Sequence, residues 1–79
     1  MNALEHSDHI LRAQKGETLM VCEPLVAVNM GAGGTVNYQC GDRLRVEFAY
    51  GGLVWCLDEQ ARSVTLDREG TLCVERSKK

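Results

Sequence analysis

Four cysteines and two histidines are the side chains best suited to chemistry in this chain, and their spacing decides what they could do. Cys22, Cys40, Cys56 and Cys73 stand 18, 16 and 17 positions apart, with no C-x-x-C pair. Zinc sites of the structural kind draw their thiolates in close pairs, so four isolated cysteines make a poor zinc signature. An even count in a short chain would suit a disulfide framework in an exported protein. The opening MNALEHSDHILRAQKG has no basic stretch followed by a long apolar run, so it does not read as an export signal. The expected compartment is therefore a reducing cytoplasm, and the expected state of the cysteines is buried or half-buried free thiol.

His6 and His9 would share one face of a helix, the arrangement a transition-metal pair requires. They lack a third ligand nearby, and two solvated imidazoles are the simpler reading. The run Gly31-Ala32-Gly33-Gly34-Thr35 raises a phosphate cradle. A P-loop needs Lys after its last glycine, and a dinucleotide fingerprint must open a helix; neither condition is met. No Ser or Cys sits in a local activating motif. Asp58 and Glu59 are neighbours on an expected strand and face opposite sides, which makes them poor acid/base partners. The expectation is a protein without catalytic equipment, resident metal or cofactor.

The elements that position these residues follow from composition and pattern. At 79 residues, 44% hydrophobic and 25% charged, the chain reads as one globular domain, 1–79, with a small core. A net charge of −2 gives no field that advertises a nucleic-acid or membrane partner. No apolar run is long enough for a membrane-spanning helix. Residues 1–16 suit a helical segment, with Ser7 as a candidate N-cap and Gly16 as its stop. Residues 17–76 suit a β-barrel, and 77–79 a basic tail. TLMVCEPLVAV, 18–28, predicts a strand bent at Glu23-Pro24, and 29–42 a long glycine-rich loop with a short strand at 35–39.

RLRVEFAY, 43–50, alternates strictly, and Gly51-Gly52 suits a type I′ turn. An uninterrupted register sets Tyr50 against Leu53, Phe48 against Trp55 and Val46 against Leu57 on the core side. On the other side it sets Ala49 against Val54, Glu47 against Cys56 and Arg45 against Asp58. A second hairpin is expected over 63–75, with Leu66 against Leu72 and Val64 against Val74 across Arg68-Glu69-Gly70. These elements add up to an all-β fold: a small, bent, antiparallel five-stranded SH3-like barrel with a short N-terminal helical segment.

On that register Arg43, Arg45, Ala49, Val54, Cys56 and Asp58 form an outer face with an apolar centre and a charged rim, the anatomy of a modest interface; the simpler reading is that the long loop or the N-terminal helix covers this face within the same chain. Gly31, Gly33, Gly34 and Tyr38 belong to an adaptable loop beside it. The expected function is a non-catalytic binding module, adaptor or inhibitor in type, whose partner is another protein or a second copy as a homodimer. Chains of this size and kind are common among phage and mobile-element proteins, a statement about size rather than residues. The alternative is single-stranded RNA or DNA binding by a small Sm/OB-like barrel, with Arg43 and Arg45 on phosphates and Tyr38 and Tyr50 stacking. Assigning Phe48 and Trp55 to the core, and the presence of Glu47, Asp58 and Glu59, count against it.

Overall fold

The first helix of the computed structural model, which describes residues 2–77, is capped by its own leading residues. In α1 (Ala3–Leu11) the Asn2 side chain accepts from the Glu5 N–H at 2.8 Å, and the Glu5 carboxylate accepts from the Asn2 N–H at 3.2 Å. This reciprocal box satisfies two of the donors that a helix start leaves without partners. Ser7 is therefore not the cap; it lies mid-helix, buried, with its hydroxyl 2.9 Å from that of Thr71. Lys78 and Lys79 of the expected basic tail lie outside the described residues.

Seven strands follow: β1 (Thr18–Val21), β2 (Leu25–Asn29), β3 (Thr35–Tyr38), β4 (Arg43–Tyr50), β5 (Leu53–Asp58), β6 (Ser63–Leu66) and β7 (Val74–Arg76). They form one antiparallel sheet in the order β3-β2-β6-β5-β4-β1-β7. The chain is mainly β with an N-terminal helix, as its pattern suggested. The five-stranded SH3-like barrel is not formed, because the sheet stays open, with β3 and β7 as its edges.

Two local events account for the difference. Pro24 has no N–H to give a ladder, and the chain breaks at Cys22-Glu23-Pro24 instead of merely bending. The expected single strand thus becomes two, β1 beside β4 and β7, and β2 beside β3 and β6. The second event is α2 (Arg68–Thr71), a single helical turn in place of the expected hairpin loop. The Asp67 side chain accepts from the Gly70 N–H at 2.8 Å and caps this turn. Gly70 is buried, and a Cβ there would meet Leu25 and Leu66 at 3.4 Å, ordinary contact distance, so the turn packs against the sheet without requiring glycine. The turn sends β7 to the far edge, where Val74 pairs with Val21 rather than with Val64. Val64 pairs with Cys56 and Asn29 instead.

One face of the sheet holds the core, with Leu19, Val21, Leu44, Val46, Val54, Cys56, Val64 and Val74 all fully enclosed. Ile10 and Ala13 from the N-terminal segment close over it, and α2 packs against α1, β2, β6 and β7. Each such aliphatic side chain stabilises the fold by about 1.5–3 kcal/mol of transfer free energy. Polar stitches hold the ends together: Arg76 donates twice to the Glu17 carboxylate at 2.8 Å, and His6 Nε2 donates to the Val74 carbonyl at 2.8 Å.

The sheet is strongly curled. β3 and β5 are three places apart in it, roughly 14 Å along a flat sheet. Even so, the Tyr38 hydroxyl donates to the Asp58 carboxylate at 2.7 Å. The turn after β3 also reaches β1, where Gly41 N–H donates to Val21 O at 2.8 Å and Val21 N–H to Asp42 O at 2.9 Å.

Candidate functional site

The β4–β5 hairpin decides which side chains the molecule displays. At its tip the expected register holds: Tyr50 pairs with Leu53, Ala49 with Val54 and Phe48 with Trp55. Gly51 and Gly52 both have positive φ, +63° and +80°, as a type I′ turn requires. Below Phe48 the ladder slips by one residue at Glu47, and Val46 then pairs with Cys56, Arg45 with Leu57 and Leu44 with Asp58. A bulge of this kind reverses the facing of one strand relative to a straight continuation. Leu44 and Val46 point into the core, while Phe48 and Tyr50, four residues further on, point away from it.

The consequence for the expected interface is a change of face. Val54 and Cys56 are fully enclosed in the core, and Asp58 is 7% exposed with its carboxylate held by Tyr38, Gln60 and Arg62, so none of the three presents a contact surface. Ala49 is exposed at the overhanging tip, on the same side as Val54. Arg43 and Arg45 are exposed on the outer side, and neither takes part in an ion pair among the described residues. The side chains displayed beside them are ones the strict alternation had placed inside.

Consecutive pairings carry one row across five strands: Thr35, Val28, Thr65, Trp55 and Phe48. Directly opposed residues share a face, so this row runs along the side of the sheet away from the helices. Val26 flanks it on β2, and Tyr50, Leu53 and Leu57 flank it on the hairpin. Val26 is 63% exposed, Val28 49%, Phe48 50% and Tyr50 78%. The Phe48 and Trp55 rings stack with centroids 5.2 Å apart and planes 15° from parallel. The Trp55 Nε1–H is enclosed and has no hydrogen-bond partner. Beside the row, where Leu57 pairs with Arg45 and Arg45 with Thr18, these three line a shallow cleft together with Arg43, Asp58 and Glu59.

The other expected site residues have structural work. Gly31, Gly33 and Gly34 lie in the β2–β3 turn, where Asn29 Oδ1 accepts from the Gly31 N–H at 3.0 Å and the Ala32 N–H at 3.1 Å. Tyr38 is buried, and its bond to Asp58 takes it out of any stacking role. Burial and that bond both push its hydroxyl pKa up. Asp58 also accepts from the backbone N–H groups of Gln60 (2.9 Å) and Arg62 (2.8 Å) and from Arg62 Nε (2.6 Å). Burial acts to raise its pKa, but the Tyr38 hydroxyl and these donors outweigh it and hold the carboxyl below its usual value.

The histidines are not free in solvent, as their spacing suggested. Both are half-buried; His6 docks on β7, and the His9 carbonyl accepts from Arg76 at 3.4 Å. Cys56 is buried, and burial pushes its thiol up to about 12. Cys22 and Cys73 are half-buried and Cys40 is exposed. Among the described residues no group of three or more His, Cys, Asp or Glu side chains is placed to hold a metal ion. Among them, too, no helix is long and apolar enough to cross a membrane. Comparison with protein families, curated proteins and solved structures gave no match.

Val26, Val28, Phe48 and Trp55 are thus the surface residues that the pattern did not single out. Both faces of β5 are apolar, so alternation alone could not tell which one is covered. The usable signal was Glu47, an acidic residue in a run whose straight register sets it against Cys56.

Proposed function

We propose that this chain is a non-catalytic binding module of adaptor or inhibitor type, and that it acts through protein contact on the outer face of its sheet. The observation that carries this reading is the apolar row from Val28 through Trp55 to Phe48, with Val26 and Tyr50 beside it. A sheet whose faces are both apolar gains from covering both, and here the helices cover one. The simplest occupant is a second copy, which presents the same row in reverse across a two-fold axis. Light-scattering chromatography of the wild type and of Val28→Lys tests it. A dimer that Val28→Lys converts to a folded monomer supports self-association. A wild type that is monomeric at every concentration rejects it and leaves a foreign protein as the partner.

A second reading has its own observation. Phe48, Tyr50 and Trp55 lie on the same face as Arg43 and Arg45, an aromatic platform next to basic side chains, as in single-strand binders. Titration with fluorescent oligo-dT and oligo-U at low salt tests this alternative, which requires affinity that falls steeply as salt is added. Absence of binding at low salt removes it.

A further inference from the structure

Three of the four cysteines gather where β1 ends, β3 has just ended and β7 begins. The β1–β7 register runs Leu19–Arg76, Met20–Glu75, Val21–Val74. One further step sets Cys22 opposite Cys73, and the Cys22 N–H donates to the Cys73 carbonyl at 2.7 Å. The bond is made on one side only, because the Cys73 N–H donates to Gly70 O at 3.0 Å; opposed antiparallel residues have Cα atoms about 4.5–5.5 Å apart, within the range of about 4.4–6.8 Å that a disulfide spans. Both cysteines are free and half-buried; Cys22 Sγ donates to the Met20 carbonyl at 3.5 Å and Cys73 Sγ to the Glu69 carbonyl at 4.0 Å, so each thiol must turn from its carbonyl to meet the other. Cys40 is exposed close by, since Gly41 donates to the Val21 carbonyl.

We propose that Cys22 and Cys73 are a modification site, a dithiol that a low-molecular-weight disulfide converts into a cross-strand bond between β1 and β7. The thiolate of one cysteine attacks a sulfur of the oxidant, forms a mixed disulfide and expels one thiolate leaving group. The second cysteine's thiolate then attacks the protein sulfur of that mixed disulfide and expels the other. The protein loses two protons and two electrons, and the oxidant takes them up to become two thiols. Burial raises the pKa of both thiols, so only a small thiolate fraction is present at neutral pH and the exchange is slow there. The bond joins residues 51 positions apart, which restricts the unfolded chain and ties edge strand β7 to the sheet. This inference does not depend on the outer face and stands or falls separately from it.

The test is incubation of the full chain and of Cys40→Ser with oxidised glutathione at pH 8, followed by intact mass, non-reducing peptide mapping and thermal unfolding. The expected result in both proteins is a mass lower by two hydrogens, a peptide pair joined through Cys22 and Cys73, and a raised unfolding temperature that dithiothreitol restores. A bond through Cys40, stable glutathione adducts on Cys22 or Cys73, or thiols that stay unmodified would each overturn the proposal. So would a linked protein whose unfolding temperature does not rise.

Discussion

From Leu53 to Leu57 both faces of β5 carry apolar side chains, and they meet opposite surroundings. Val54 and Cys56 face the helices and are fully enclosed, whereas Leu53, Trp55 and Leu57 face outward and keep part of their surface in water. Hydropathy does not separate them. What separates them is the bulge at Glu47, which matches the inward side of β5 to Leu44 and Val46, together with the helices that seal only that side. A side chain's neighbours, and not its own apolarity, decide whether it belongs to the core or to a contact surface.

Substitutions on the two faces should therefore diverge. The largest effect is expected from Val54→Lys, which puts an unpaired charge in the core; it should leave no cooperative urea transition, read by circular dichroism. Asp58→Ala should cost about 1–3 kcal/mol in the same titration, because it leaves the buried Tyr38 hydroxyl and the Gln60 and Arg62 N–H groups without their acceptor, while the half-exposed Arg62 side chain returns to water. Its pH behaviour sharpens the point. The folded carboxyl titrates below its unfolded value, so its contribution is complete above the unfolded pKa of about 4 and is lost as pH falls through the depressed folded value. Asp58→Ala should flatten the acid limb of stability against pH, and a limb unchanged from wild type would count against a stabilising role for the Asp58 carboxylate.

Asp67→Ala should cost about 1 kcal/mol, the usual value of a helix cap, and should loosen hydrogen-exchange protection in β7 before β5. Val28→Lys, on the outer face, should change the stability of the monomer by less than about 0.5 kcal/mol, compared with wild type diluted until it too is monomeric. If it unfolds the chain as Val54→Lys does, the distinction between the two faces collapses.

Much of the fold was legible in local chemistry. The Gly51-Gly52 turn, the pairing of Phe48 with Trp55 and the positions of β3 and α1 all follow from residues close together in the chain. The rest depended on contacts between distant residues. Asp67 opens a turn of helix, not a hairpin loop, in a segment that packs against α1 and β2, elements far from it in sequence. The site was less legible than the fold for the same reason. One extra residue at Glu47 turned Phe48 and Tyr50 to the outer face and left the expected interface residues Val54, Cys56 and Asp58 buried, and no local pattern in RLRVEFAY marks the slip as obligatory.

The pairing of β1 with β7 bears on how the chain comes to fold. Strand β1 is held on one side by β4 and on the other by the last described strand, and α1 docks on β5 and β7. As the polypeptide emerges from the ribosome, its first helix and first strand must wait for residues 74–76 before their final neighbours exist. Contacts so far apart in sequence slow the search for the native state and leave apolar segments exposed meanwhile. The hairpin of β4 and β5, closed by its two glycines, is the segment able to form early and to give the waiting pieces a surface on which to assemble.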